Sequence, residues 1–473
     1  MQRRVLRFTG VLLVLVLCSG LIAVRPPALS AQTRQAPRVI TLNEAITESV
    51  QFSPQIKEEQ FGVLIRQSQR AQASAARFAQ LEITVVGGPS PRARGNQVQS
   101  PDSKLNPEID GAFGQATLSI IQPLYAFGKI NSLRDAATHG VAVSQAQVHQ
   151  KATEVAMLVR EAYYGYLLAT SLENLAQEIG DQLTKTVEKV QRQLDAGAPG
   201  VDNVDLYKLE TFQGELEKQL NDIREGKALA LTGLRTLMNL APQLPITLAE
   251  TSLEPMIRDI EAVEQFIDAS RQLRPEFTQA REGVKAYEAL VKAAKADYYP
   301  VFFFGVFGSL AESTNRNTLS NPFIFDPIHD DVIAPVLGLR WKYDLGITAG
   351  KVDEVAAQLG QVQQKHALAE LGIPFQVRQA YLELEQHKAN IEATNKGFRS
   401  GRRWLVAASS NFDLGVGAGK DVADAAVAYA KLRASYFQAV YNFNMGLAKL
   451  DHAAGRDVAA VQTLLPGAPK LPK

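Results

Sequence analysis

The sequence predicts an α+β membrane protein: two copies of one unit, each joining long helices to short strands that pair within a membrane. Three observations carry that reading. An export signal opens the chain, motifs recur about 218 residues apart, and long proline-poor helical stretches alternate with strand-like segments.

The chain has 473 residues, 46% apolar and 21% charged, the balance of an ordered protein. Its formal net charge is +1, but Arg3, Arg4, Arg7 and Arg25 lie before residue 32 without an acidic partner. Removing those four from 50 basic residues leaves 46 against 49 acidic, a net of −3. No concentrated basic face is present, so no nucleic-acid partner is expected.

Residues 1–31 read as a signal peptide. Arginines occupy the first positions, residues 8–24 are mostly apolar, and small residues follow in Ala28-Leu29-Ser30-Ala31, with cleavage expected after Ser30 or Ala31. The single cysteine, Cys18, follows Leu17, whereas lipid attachment favours a small residue there. The mature chain then has no cysteine, which excludes disulfides and thiolate metal sites. No later segment offers the ~20 apolar residues of a membrane-spanning helix. An exported chain without one is soluble, surface-bound or a β-barrel, because only helices and closed barrels satisfy every backbone group in lipid.

Internal repeats organise the rest. Thr41-Leu42-Asn43-Glu44-Ala45-Ile46 with Ser53-Pro54-Gln55-Ile56 resembles Val263-Glu264 onward with Arg274-Pro275-Glu276-Phe277. Val159-Arg160-Glu161-Ala162-Tyr163 matches Val377-Arg378-Gln379-Ala380-Tyr381 at an offset of 218, and Leu194-Asp195-Ala196-Gly197 matches Phe412-Asp413-Leu414-Gly415 at the same 218. Gly128-Lys129 pairs with Gly350-Lys351 at 222, implying a small slip. The expected units are a first repeat over 32–255, a second over 256–455, and a poorly ordered tail over 456–473.

Each unit reads helix, strand pair, long helix, turn, helix. Residues 127–195 lack proline, are rich in helix formers, and place Val155, Leu158, Val159, Ala162 and Tyr166 at helical spacing. Such a helix extends roughly 100 Å. Its counterpart spans 347–412, where Pro374 is expected to kink or break it. Residues 203–240 and 420–454 form the returning helices. Strands are expected over about 81–88, 112–122, 298–308 and 334–344. The last alternates at period two, with Leu337, Leu339, Trp341 and Tyr343 on one face and Arg340, Lys342 and Asp344 on the other. Apolar-out, polar-in strands characterise membrane barrels; a soluble sheet is the plainer alternative. Residues 298–307 are apolar on both faces, so aromatic content carries that strand. Residues 89–110 and 310–332, rich in Pro, Asn, Ser and Asp, read as long loops.

In this order the chain resembles the TolC-like outer membrane factor family. The resemblance rests on Leu42-Asn43-Glu44-Ala45 with Ser53-Pro54, Gln122-Pro123-Leu124-Tyr125 before Gly128, Trp341-Lys342-Tyr343-Asp344 before Gly350, and Phe412-Asp413-Leu414-Gly415 before Asp421-Val422-Ala423-Asp424. It implies four strands per protomer and a twelve-stranded barrel in a homotrimer. The helices then form a periplasmic tunnel that meets an adaptor protein and an inner-membrane transporter, with lipid of the cell outer membrane around the barrel. It further implies that Asp421 and Asp424, three apart on one helix face, ring the periplasmic aperture. The alternative role for Asp421 is to cap the returning helix or to favour its positive start. The tip turns, with Gly197, Asn203, Val204, Gly415 and Val422, are the expected adaptor contacts.

Other chemistry is thin. Gly415-Val416-Gly417-Ala418-Gly419-Lys420-Asp421 lacks the first glycine and final hydroxyl of a phosphate-binding loop, so it reads as a helix reversal. Six histidines are scattered without paired helical spacing. The reading is therefore a channel subunit acting as a passive exit duct, for a tripartite pump or a type I secretion system. No catalytic site, metal or cofactor is expected. The alternative is a periplasmic coiled-coil structural protein without a barrel.

Overall fold

A computed structural model describes residues 37–91, 108–197, 201–315 and 328–470. The segment read as a signal peptide, with Cys18, and the inner parts of both expected loops lie outside the described residues.

The two copies correspond element by element in order. In the first, strand β1 (Arg38–Ile40) precedes α1 (Leu42–Phe52), α2 (Pro54–Ala75), β2 (Gln80–Pro91), β3 (Ile109–Tyr125), α3 (Lys129–Asp195) and α4 (Asn203–Leu237). After β4 (Ile246–Leu248), the second runs α5 (Val263–Leu273), α6 (Pro275–Lys295), β5 (Val301–Ser313), β6 (Asp330–Arg340), α7 (Ile347–Asp413) and α8 (Gly419–Ala453), closing with α9 (Arg456–Gln462). Local chemistry explains the boundaries. Thr41 and Glu44 form a capping box on α1, with Thr41 N donating to the Glu44 carboxylate at 2.9 Å. Pro54 and Pro275 open α2 and α6, where a missing N–H costs nothing.

Several expectations need correction. The long helices α3 and α7 each have 67 residues, and α7 runs unbroken through Pro374. Proline removes one backbone bond there, but Ile373, Val377 and Leu384 are buried against neighbouring helices and hold the axis on both sides. Lys129 and Ile347, which open these helices, are 218 apart, so Gly128 corresponds to Gly346 rather than Gly350. Both glycines have positive φ, 81° and 140°. The C-terminal segment is not loose: it forms α9, Leu464 and Leu465 pack on the core, and Gln60 Nε2 donates to the Pro466 carbonyl at 2.9 Å.

The helices form two layers threaded by α3 and α7. Near the sheet the packing order is α2–α3–α6–α7; farther away it is α4–α3–α8–α7. Between these layers, a core of Ile40, Ile56, Val159, Tyr163, Leu234 and Leu248 gathers around β1 and β4, which pair in parallel. The strands β2-β3-β5-β6 form one antiparallel sheet, with β2 and β6 at its edges.

These placements give a paired expectation for stability. Leu384→Ala opens a void in a fully buried site and should destabilise by about 2–5 kcal/mol. Pro374→Ala restores a backbone donor in a continuous helix and should be neutral or stabilising by up to about 3 kcal/mol. Thermal melting of both variants in detergent checks this; a large loss of stability for Pro374→Ala would mean the proline shapes the helix.

Candidate functional site

Two features stand out: the helix tips and the outer face of the sheet. At each tip a glycine with positive φ ends the long helix, Gly197 at 62° and Gly415 at 76°. Gly197 N donates to the Leu194 carbonyl at 3.0 Å, and Gly415 N to the Phe412 carbonyl at 3.2 Å. The first turn spans residues 196–202 and the second 414–418, two residues fewer, so the returning helices correspond at 216 (203 to 419) rather than 218. The second tip also lies closer to the bundle. A Cβ on Gly419 would sit 2.8 Å from Val190 Cγ2, and one on Gly417 would sit 3.0 Å from Asn411 Cβ. The sequence reading placed both glycines in the reversal; the contact of Gly419 with Val190 and Leu209 depends on other helices and is not recorded in the motif.

Asn203 and Val204 are exposed in the first turn of α4, where Asp202 is the cap and accepts from Val204 N at 3.4 Å. Val422 corrects an expectation: it is 0% exposed, packed with Val190, Leu209 and Phe412, and its side chain belongs to the core. Asp421 is not a cap either. Ala418 holds that position in α8, and Asp421 lies exposed in the first turn, where its charge suits the helix dipole.

Asp424 is not an isolated carboxylate. It accepts from Lys208 Nζ of α4 at 2.8 Å. These residues are 216 apart, so the two copies carry opposite charges at one equivalent position and pair across it. A second tie runs from Lys189 of α3 to α7, where its Nζ donates to Asp413 at 2.9 Å and lies 4.4 Å from the Phe412 ring centre. Higher up, Arg433 Nη1 of α8 donates to Glu178 of α3 at 2.6 Å. All are partly exposed, and each contributes about 0–1 kcal/mol. Their effect is positional: they fix the spacing of the two coiled pairs.

In the sheet, register assigns the faces. Leu81, Ile83 and Val85 of β2 stand opposite Ile120, Leu118 and Ala116 of β3, while Phe304 and Phe302 of β5 stand opposite Leu337 and Leu339 of β6. Cross-strand partners share a face, and β3–β5 pairing of Ile120 with Val306 joins these sets into one apolar surface. Leu337 is 78% exposed and Leu339 59%. The opposite face carries Glu82, Thr84, Gln115, Thr117, Ser119, Ser309 and Arg340. Val301, Phe303, Phe307, Val332 and Val336 lie there too, so this face is polar on β2 and β3 and largely apolar on β5 and β6, and β5 does not alternate in sequence. Phe303 sits directly over Gly338, where an added Cβ would come within 2.6 Å of its Cζ, so glycine on the partner strand makes room for that ring.

Strand β6 stops at Arg340, so Trp341, Lys342, Tyr343 and Asp344 leave the ladder. Arg340 pairs with Val301, and the next partner would be Pro300, which has no N–H to give. Trp341 Nε1 donates instead to the Tyr298 carbonyl at 3.2 Å, and Asp344 accepts from Thr348 N at 2.8 Å at the head of α7.

Burial separates the tip residues by experiment. Val422→Asp places an unpaired charge in the tip core and should loosen it, seen as faster proteolysis there and a lower melting temperature. Val204→Asp, at an exposed site, should change neither; equal sensitivity would mean Val204 is covered in the assembled protein.

The same architecture occurs in solved structures. The chain is similar to the outer membrane protein VceC of Vibrio cholerae, with 18% identity, 88% of this chain and 96% of that chain covered, and a TM-score of 0.71. It is similar to the CmeC outer membrane channel of Campylobacter jejuni, with 13% identity, 90% coverage of each and a TM-score of 0.72. For CusC, described as forming a transmembrane channel, identity is 17%, coverage 88% and 92%, and the TM-score 0.72. No curated protein matches the sequence. Residues 45–239 and 266–456, nearly the whole of both repeats, match the outer membrane efflux protein family, and the chain belongs to that family.

Proposed function

We propose that three copies of this chain close a twelve-stranded barrel and a continuous helical tunnel, each contributing its four-stranded sheet. The assembly acts as a passive exit duct. A periplasmic adaptor seats on the tip turns, using Gly197, Asn203, Val204 and Gly415, and an inner-membrane transporter supplies the energy. No step of chemistry is assigned to the chain itself.

One observation carries this reading: the free edges of every layer fall on matching sides. One side of the protomer ends in β2, α2 and α4; the other ends in β6 and α7 throughout. Joining unlike sides head to tail generates a ring. The α7 side displays Leu368, Leu371, Phe375 and Leu382 at spacings of three, four and seven, an exposed coiled-coil seam, with Leu371 75% exposed. On the other side, α2 and α4 carry the exposed apolar residues Phe61, Ile65 and Leu229. A periplasmic coiled-coil protein without a barrel would leave the apolar sheet face and both strand edges in water.

At the aperture, Asp421 makes no ion pair among the described residues, while Lys208 offsets Asp424. Asp421→Asn should therefore weaken multivalent-cation block of single-channel current more than Asp424→Asn does. Lys208→Ala should strengthen block by uncovering Asp424, and these effects should shrink in high salt. Block unchanged in all three variants would remove the acidic ring from the account. At the sheet, Leu339→Arg should hinder trimer assembly, by less than the roughly 2–4 kcal/mol of a mid-bilayer site because β6 ends one residue later, while Arg340→Ser should be milder still. Heat-resistant trimers on gels read this directly, and equal tolerance would refute the assigned faces.

A further inference from the structure

Aromatic side chains gather where the sheet meets the helices. Tyr125 and Phe127 follow β3, Tyr298 and Tyr299 precede β5, and Trp341 and Tyr343 follow β6, all exposed. The Phe127 ring stacks on Tyr299 with centres 4.7 Å apart and meets Tyr125 edge-on at 4.8 Å. Tyrosine and tryptophan at the end of an apolar sheet face sit at headgroup depth.

Within this belt lies a cleft of about 220 Å³, lined by Asp297, Tyr298, Trp341, Lys342, Tyr343 and Asp344. Its walls are fixed by named contacts. Trp341 is tied to the Tyr298 carbonyl, and its ring meets Tyr343 edge-on with centres 5.9 Å apart. Asp297 is paired with Lys129. Asp344 accepts from both the backbone N–H and the hydroxyl of Thr348, at 2.8 and 2.7 Å. The backbone bond in particular holds its carboxyl below the usual range, so it stays ionised at neutral pH. Lys342 is exposed and makes no ion pair among the described residues.

We propose that this cleft holds the headgroup of a phosphoethanolamine lipid from the periplasmic leaflet, its ammonium against the rings of Tyr298, Trp341 and Tyr343 and its phosphate at Lys342. Aromatic faces attract an ammonium, and ionised Asp344 adds negative charge beside it, Asp297 being offset by Lys129. The acyl chains then run along the surface of Leu337 and Leu339. A glycerol-headed anionic lipid offers the same phosphate to Lys342 but has no cation for the rings and Asp344. The inference rests on the sheet crossing the membrane.

The chain has two tryptophans, so Trp404→Phe leaves Trp341 as the sole emitter. The purified full chain in detergent is titrated with short-chain phosphatidylethanolamine, phosphatidylglycerol and free phosphoethanolamine. Saturable change in Trp341 emission with phosphatidylethanolamine alone is expected, and Tyr343→Ala should weaken it by about two- to thirtyfold. Lipid retention in native mass spectrometry, comparing Tyr343→Ala with the unaltered chain, gives the same comparison without the Trp404 substitution. Equal binding of both lipids, or no effect of Tyr343→Ala, would overturn the site. Saturation by free phosphoethanolamine at the lipid's concentration would overturn a lipid source. A chain that stays soluble without detergent and retains neither lipid would instead overturn the membrane reading beneath it.

Discussion

A sheet in lipid cannot keep an open edge, because unpaired N–H and C=O groups find no water there. This chain builds four strands with apolar residues over one face and the polar residues of β2 and β3 over the other, and leaves the outer edges of β2 and β6 unpaired among the described residues. Neither edge can pair with the other within so short a sheet. The remaining partners are the same edges on other copies, and the rest of the architecture accommodates that demand. The free helices α2 and α4 lie on the β2 side, and α7 runs its whole length on the β6 side.

Duplication supplies the geometry. Helices α3 and α7 share a length of 67 residues, and α4 and α8 share 35, so each copy contributes a coiled pair of equal reach. The copies then differ where it matters. The second tip turn is two residues shorter and brings Gly419 against Val190, while the first carries Asp202 as a cap. Lys208 and Asp424 occupy one equivalent position with opposite charge. A symmetric pair of like charges there would repel; the divergence turns a duplicated position into a contact between copies.

Long-range order was legible in the sequence, and its ends were not. Helical composition and recurring motifs revealed the duplicated long helices, because those signals accumulate over many residues. The end of β6 depends on Pro300 of its partner strand, which no periodicity within β6 records. Val422 and Asp421 are neighbours, and their burial is decided by Val190 and Leu209 on other helices. Pro374 has the local chemistry of a break, yet tertiary packing on both sides carries α7 through it. Strands β1 and β4 have three residues each, too few for any pattern, and are defined by their pairing alone.

The claim on which all of this depends is that β2 of one copy meets β6 of the next. Beyond Cys18 in the signal peptide the chain has no cysteine, so introduced pairs report cleanly. A cysteine at Leu337 of β6, combined in turn with cysteines along β2 at Leu81, Ile83 and Val85, is oxidised in native membranes and resolved on denaturing gels. The account predicts intermolecular disulfides that end at a covalent trimer, strongest at one β2 position. Cross-links confined to single chains, or a ladder that grows past three copies, would contradict it.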